Sequence, residues 1–124
     1  MIFDETPLKG AFVVEINKLQ DKRGFFGRIF CRQELESQGL RCDVVQSSLS
    51  FNAQKGTLRG MHFQISPHQE TKLVRCTRGA LYDVIVDLRP GSPTYKQWYG
   101  IELSQDNYKT VSYTHLTLPT NREV

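Results

Sequence analysis

Residues 72–88, with the sequence KLVRCTRGALYDVIVDL, decide the fold of this chain. Two runs typical of strands, Lys72–Thr77 and Ala80–Leu88, are separated only by an Arg-Gly pair, which is the spacing of a tight β-hairpin. In the second run the even positions are apolar, whereas the odd positions place Asp83 and a second aspartate beside Leu and Ile. Asp83 fits either a solvated face or a polar site inside a barrel wall, and the Ile between the aspartates favours partial burial on both faces.

Short strands separated by turn residues follow one another along the rest of the chain. Residues 31–38 form the one plausible helical pattern, and Gly39 is a suitable C-terminal stop for it. Such regular spacing favours a barrel or sandwich over a parallel sheet with crossover helices, so we predict an all-β fold with one short helix. The other predicted strands are Ala11–Ile16, Phe25–Phe30, Val44–Phe51, Leu58–Gln64 and Lys96–Leu103.

The composition is that of one ordinary soluble domain. The chain has 124 residues, of which 39% are hydrophobic and 23% are charged, and its formal net charge is +3. This weak charge has no run of one sign, which argues against a nucleic-acid partner. The sequence shows neither a membrane-spanning stretch nor a signal-peptide pattern, so we predict a cytoplasmic protein with no membrane partner. Three cysteines, Cys31, Cys42 and Cys76, lack metal-ligand spacing and are interpreted as free thiols.

The densest group of chemically active side chains lies between residues 55 and 75. His62 stands within a predicted strand, with Arg59 before it and Lys72 after it. An imidazole with a pKa of about 6.5 suits general-base catalysis, although a histidine in a strand is often only a hydrogen-bonded structural residue. Strict alternation places Arg59 and His62 on opposite faces unless Gly60 forms a bulge. A metal site is a third interpretation, but the absence of a His-x-His pair argues against it.

Two longer motifs are more specific than any single side chain. They are DKRGFF at residues 21–26 and KGTLRGMHFQ at residues 55–64. Together they resemble the Asp-x-Arg-Gly-Phe-Phe signature and the central Lys-Gly-x-Leu-Arg-Gly-x-His-Tyr-Gln block of the dTDP-4-dehydrorhamnose 3,5-epimerase family. The resemblance extends from residue 1 to about residue 109. Its other parts are Val45–Ser50, Lys72–Cys76, Asp83–Arg89, Ser92–Thr94 and Trp98–Asn107.

This resemblance implies a cupin-type jelly-roll β-barrel without metal or cofactor, usually a homodimer. Members epimerise a nucleotide-linked 4-keto-6-deoxy sugar on the route to rhamnose and related surface sugars. The resemblance assigns His62 as the base that removes the proton beside the ketone, and Lys72 as the cation that stabilises the enolate. It assigns Arg23 and Arg59 to the substrate, where planar guanidinium groups suit a diphosphate. Gln46 and Ser48 match further binding positions, and Asp83 is an additional candidate from the strand pattern.

The chain departs from the family pattern in three places. Arg28 stands where better-known members have a glutamate used in binding, and Ser48 stands where asparagine is usual, so the sugar and nucleotide preference is open. Residues 111–124 replace the family's next strand and resemble a translated sequencing adapter. We therefore predict an incomplete cupin domain over residues 1–110 and a non-native tail over residues 111–124. Because the family's tyrosine acid and an aspartate come later, we expect weak folding or aggregation and little epimerase activity.

Three classes of function follow from these observations. The leading interpretation is an isomerase that epimerises a keto-sugar by base catalysis. The second is a non-catalytic cupin fragment that binds a nucleotide sugar. The third is a metal-dependent cupin oxygenase or isomerase, which the single histidine near position 62 disfavours.

Overall fold

The computed structural model describes residues 1–114 and 121–123. Within these ranges it is built from strands and one short helix, as predicted, and no helix has the length and apolar character needed to cross a membrane. The elements are β1 (Ile2–Glu5), β2 (Ala11–Glu15), β3 (Leu19–Asp21), β4 (Gly24–Phe26), α1 (Arg32–Ser37), β5 (Leu58–Arg59), β6 (Thr71–Arg75), β7 (Ala80–Val86), β8 (Trp98–Ser104), β9 (Thr110–Thr114) and β10 (Asn121–Glu123).

Two antiparallel sheets carry the fold. The first has the strand order β1-β2-β9-β6, and the second has the order β5-β10-β7-β8. Strands β3 and β4 form a separate hairpin with Leu19 opposite Phe26. In the first sheet, Ala11, Tyr113 and Lys72 stand side by side in one cross-strand row, so their side chains share a face.

The main core joins the inner faces of the two sheets. Leu8, Ala11 and Val111 from the first sheet and its connections pack with Ile85 and Leu103 from the second, and all are at most 1% exposed. A second cluster lies on the opposite face of the first sheet, where helix α1 contributes its one buried residue, Leu35. Helix α1 therefore covers the outer face of the first sheet, and the main hydrophobic core lies between the two sheets.

A fully buried carboxylate fixes the connection between β7 and β8. Asp87 is 0% exposed and accepts hydrogen bonds from the Arg89 side chain and from the hydroxyls of Ser92 and Thr94. Burial alone would raise the pKa of Asp87, but the hydrogen bonds from these three residues outweigh it and hold the pKa well below its usual range. The Asp87 backbone also bonds Lys96 and Gln97, which closes the loop.

The strand predictions at 72–77 and 80–88 are confirmed to within two residues at each end, but the predicted hairpin between them is wrong, because β6 and β7 lie in different sheets and do not pair with each other. Strand β7 pairs with β8 over seven residues from Ala80–Ser104 to Val86–Trp98, and the two odd-numbered aspartates of the run are buried. The strand predictions at 11–16 and 96–103 and the helix prediction at 31–38 are confirmed to within two residues at each end.

Two strand predictions are wrong, and the predicted strand 25–30 is confirmed only at Phe25 and Phe26, which belong to β4. Residues 44–51 form no regular strand, and in the predicted strand 58–64 only Leu58 and Arg59 are in a strand. Gly60 has φ 108°, a conformation that favours glycine, and it ends strand β5 instead of forming a bulge within it. Large apolar side chains in both segments are exposed, among them Val45 at 89% and Leu49 at 85%. Residues 44–51 and 60–64 have the residue types of strands but lack neighbouring strands to pair with among the described residues.

Candidate functional site

A half-buried lysine and a buried carboxylate face each other between the two sheets. Lys72 on β6 has a side chain that is 31% exposed, and its Nζ lies 3.5 Å from Glu70 Oε1. Asp83 on β7 is 1% exposed, and neither of its carboxylate oxygens has a hydrogen-bond partner within the described residues. The aspartate therefore lies in the interior, as the barrel-wall interpretation of its strand expected.

The ionisation of Asp83 reflects this position. Burial raises the pKa of Asp83 to about 7, and the positive charge of Lys72 opposes that rise. A carboxyl group with this pKa changes its protonation near neutral pH, within electrostatic reach of the Lys72 ammonium group. Such pairing of burial with one charged partner is typical of functional sites.

Tyr113 is the third polar residue of this interior cluster. It is 1% exposed, its hydroxyl has no hydrogen-bond partner among the described residues, and it is the cross-strand neighbour of Lys72. Burial and then the negative charge of Asp83 raise the pKa of Tyr113 above its usual range. The sequence interpretation missed this residue because it falls in the segment 111–124 that was excluded from the domain. Residues 115–120 and 124 of that segment, including His115, lie outside the described residues.

The structure does not bring the other predicted site residues into this cluster. His62 is exposed and belongs to the segment 60–70, which has no regular secondary structure. Gln46 and Ser48 are also exposed, in the irregular segment before β5. Arg59 ends β5, at the edge of the second sheet, and donates hydrogen bonds to the Asn52 side chain and the Phe51 carbonyl.

Arg23 lies apart from the interior, on the β3–β4 hairpin. Its side chain is 85% exposed and pairs with Asp21, whose pKa is lowered by the hydrogen bonds from Arg23. The hairpin borders a cavity of about 260 Å³. The lining residues are Leu19, Asp21, Arg23, Gly24, Phe25 and Phe26. The cavity thus combines apolar side chains with a guanidinium group that is paired with the Asp21 carboxylate.

Arg28, one of the residues that depart from the family pattern, forms an ion pair with Glu34 of helix α1. Its Nη1 lies 2.9 Å from Glu34 Oε2, and the other oxygen of Glu34 accepts a hydrogen bond from the Met1 ammonium at 2.6 Å. The Met1 ammonium and then Arg28 lower the pKa of Glu34 to about 2. Arg28 therefore contributes to the anchoring of α1 and the N-terminal strand.

The donor set does not favour a metal centre. Within residues 1–114 and 121–123, no three His, Cys, Asp or Glu side chains are close enough together to hold a metal ion. All three cysteines are free thiols, with Cys42 and Cys76 buried.

Comparison with known proteins relates this arrangement to a family of sugar-nucleotide enzymes. The dTDP-4-dehydrorhamnose 3,5-epimerase of Sinorhizobium fredii is 44% identical over 107 residues, which cover 86% of this chain and 55% of the relative. The enzyme of the same name from Bacillus anthracis, solved with TDP and PPi bound, is 38% identical with a TM-score of 0.85, over 97% of this chain and 73% of that one.

A third relative adds a sugar ligand. The structure of dTDP-6-deoxy-D-glucose-3,5-epimerase from Legionella pneumophila, in complex with dTDP-4-keto-L-rhamnose, is 30% identical with a TM-score of 0.78, over 99% of this chain and 65% of that one. The solved relatives have a cupin-like jelly roll, so the predicted fold class is confirmed. The chain spans about half the length of the curated relatives that it matches.

The family model for dTDP-4-dehydrorhamnose 3,5-epimerase matches residues 5–114. This match includes strand β9 and reaches four residues beyond the boundary at residue 110 that the sequence predicted. It also contains Lys72, Asp83 and His62 together with both arginines of the predicted substrate site. The chain belongs to the dTDP-4-dehydrorhamnose 3,5-epimerase family.

Proposed function

We propose that this chain carries the proton-abstracting part of an epimerase that acts on a nucleotide-linked 4-keto-6-deoxy sugar, of the dTDP-4-dehydro-6-deoxyglucose type, in deoxysugar and rhamnose biosynthesis. The observation that carries the proposal is the interior pair of Lys72 and Asp83 in a chain whose family match covers residues 5–114. We further propose that the enzyme works without metal or cofactor, in the cytoplasm, and as a homodimer.

His62 is the base of the proposed reaction. A neutral imidazole removes the proton on the carbon beside the ketone, and a positioned base of this kind accelerates proton transfer by about two to four orders of magnitude. The electron pair moves onto the ketone oxygen to give an enolate. Because His62 is exposed, the substrate must itself cover the imidazole to exclude water from this step.

Lys72 stabilises the enolate in this scheme. A fixed cation next to the developing oxyanion contributes roughly 3 kcal/mol in a dry site. The Lys72 ammonium group lies 3.5 Å from Glu70 Oε1, and its positive charge opposes the rise in the pKa of the buried Asp83. Arg23 and Arg59 bind the diphosphate, and Gln46 and Ser48 bind the sugar nucleotide from the segment before β5.

Solvent deuterium exchange tests this proposal directly. With dTDP-4-keto-6-deoxyglucose in deuterium oxide, proton NMR will show loss of the signal at a carbon beside the ketone. The exchange requires only removal and return of a proton on one face of the sugar, so we expect the rate of exchange to exceed the rate of inversion at the same carbon. His62→Asn will reduce the exchange rate at least about 100-fold, whereas His68→Asn, a change of another exposed histidine in the same segment, will leave it unchanged.

The same experiment addresses the alternative function. The exposure of His62 favours a non-catalytic protein that binds a nucleotide sugar, because a base open to water is poorly placed for catalysis. A binding protein of this kind retains affinity for the nucleotide sugar but exchanges no carbon-bound hydrogen. Binding without exchange in the unaltered chain would therefore replace the epimerase proposal with this one.

A further inference from the structure

Both arginines of the proposed diphosphate site are held in place by a neighbouring acceptor. Around Arg23, the carboxylate of Asp21 accepts hydrogen bonds from the side-chain Nε at 3.2 Å and Nη2 at 2.7 Å. The same carboxylate accepts the backbone N–H of Arg23 at 2.8 Å. Asp21 therefore fixes both the turn and the guanidinium group at the tip of the β3–β4 hairpin.

Arg59 is held in a similar way by uncharged groups. Its Nε donates to the Asn52 side-chain oxygen at 2.5 Å, and its Nη2 donates to the Phe51 carbonyl at 2.9 Å. Asn52 is half-buried, while the guanidinium group is exposed. The acceptors come from a loop that precedes β5 by several residues, so they tie the loop to the strand.

The two arginines thus use the same edge of the guanidinium group. In each case Nε and Nη2 are engaged, and Nη1 makes no hydrogen bond to residues 1–113. An arginine held on one edge presents its other edge at a defined angle, which reduces the rotamer entropy lost when an anion binds.

We propose that Asp21 and Asn52 are positioning residues that orient Arg23 and Arg59 toward the diphosphate of the substrate. This inference rests on the proposed function, which assigns the two arginines to that diphosphate. Asp21 acts through its charge and both oxygens, and Asn52 acts through its side-chain oxygen alone. Neither residue touches the reacting carbon.

Three roles of Asp21 give different results when Asp21 is changed to Asn. Asparagine keeps the acceptor for the Arg23 backbone N–H, so a purely structural role in the turn would leave ligand affinity unchanged. If Asp21 only repels the diphosphate, its neutralisation would tighten binding. If it positions Arg23, binding weakens, and Asp21→Glu restores part of the loss because the charge returns.

The experiment is calorimetric titration of the whole chain with thymidine diphosphate and with pyrophosphate. We expect Asp21→Asn and Asn52→Ala each to raise the dissociation constant roughly two- to fivefold, as suits exposed interactions. The matched controls are Asp4→Asn, an exposed carboxylate on β1, and Gln54→Ala, an exposed side chain in the Asn52 loop. Both controls are expected to bind as the unaltered chain does.

Nitrogen-15 NMR of the arginine side chains provides a second readout. The Nε–H signals of Arg23 and Arg59 are expected to be protected from hydrogen exchange in the unaltered chain. Asp21→Asn is expected to remove the protection of Arg23 only, and Asn52→Ala that of Arg59 only. Unchanged or tighter diphosphate binding in these variants would overturn the inference, as would no diphosphate binding by the unaltered chain. If diphosphate binding depends on Asp21 and Asn52 but the chain catalyses no deuterium exchange, the positioning inference is upheld and the epimerase chemistry is rejected.

Discussion

Asp83→Asn is expected to stabilise the chain at neutral and alkaline pH and to leave its stability unchanged at pH 4. The pKa of Asp83 is raised from 3.8 to about 7, a difference of about three units. At about 1.36 kcal/mol per unit, ionisation of this buried group costs about 4 kcal/mol. The folded state binds the proton more tightly than the unfolded state, so stability is full below pH 3.8 and is lost as the pH rises to about 7.

Urea unfolding at half-unit steps from pH 4 to pH 8 measures this effect. The free energy of unfolding of Asp83→Asn should exceed that of the unaltered chain by about 2 kcal/mol near pH 5.5 and by about 4 kcal/mol above pH 7. Asp106→Asn, which neutralises an exposed carboxylate, serves as the control and should give a parallel curve. If the curves of Asp83→Asn and the unaltered chain also run parallel, the carboxylate is not a buried, desolvated group, and the assigned interior cluster is wrong.

Asp87→Asn is expected to lower the free energy of unfolding by about 3 kcal/mol, because the buried group loses the charge to which Arg89, Ser92 and Thr94 donate hydrogen bonds. Urea unfolding at pH 7 measures this loss. Ser112→Ala is expected to gain about 1 kcal/mol in the same assay, because the buried Ser112 hydroxyl has no partner within the described residues; a loss would contradict this account. Tyr108→Leu removes the ring that lies 4.9 Å from Phe25 and 4.7 Å from Lys18 Nζ, and hydrogen exchange of the β3–β4 amides should accelerate roughly threefold to tenfold.

The sequence predicted strands β7 and β8 of the second sheet because their signals are local. The tight turn between β6 and β7 depends on Gly79, which has φ 76°, and alternation along β7 places Asp83 inside. Both features are visible in a window of a few residues. The turn carries the chain from one sheet to the other, so the predicted pairing of β6 with β7 does not occur. The helix is equally local, since one buried residue, Leu35, and the stop at Gly39, with φ 74°, suffice to define it.

The site was harder to predict because its geometry depends on pairing between distant segments. Lys72 and Asp83 act on each other electrostatically although β6 and β7 lie in different sheets, a relation that no local sequence pattern shows. His62 has strand-like neighbours, yet the chain beyond Arg59 has no strand beside it in the described residues, so local propensity did not decide its conformation. The sequence likewise shows that Asp21 and Asn52 are present as acceptors, but not that they bind Arg23 and Arg59.

Strand β9 separates backbone requirements from side-chain requirements. Its backbone pairs on both sides, with β2 and with β6, and any sequence without proline can supply those hydrogen bonds. Its side chains fit less well, because the hydroxyls of Ser112 and Tyr113 are buried on opposite faces with no partner among the described residues. Two such groups in adjacent positions are unusual in native structures. This mismatch at residues 112 and 113 favours the prediction that a non-native tail begins at residue 111, whereas the family match through residue 114 argues for a later boundary.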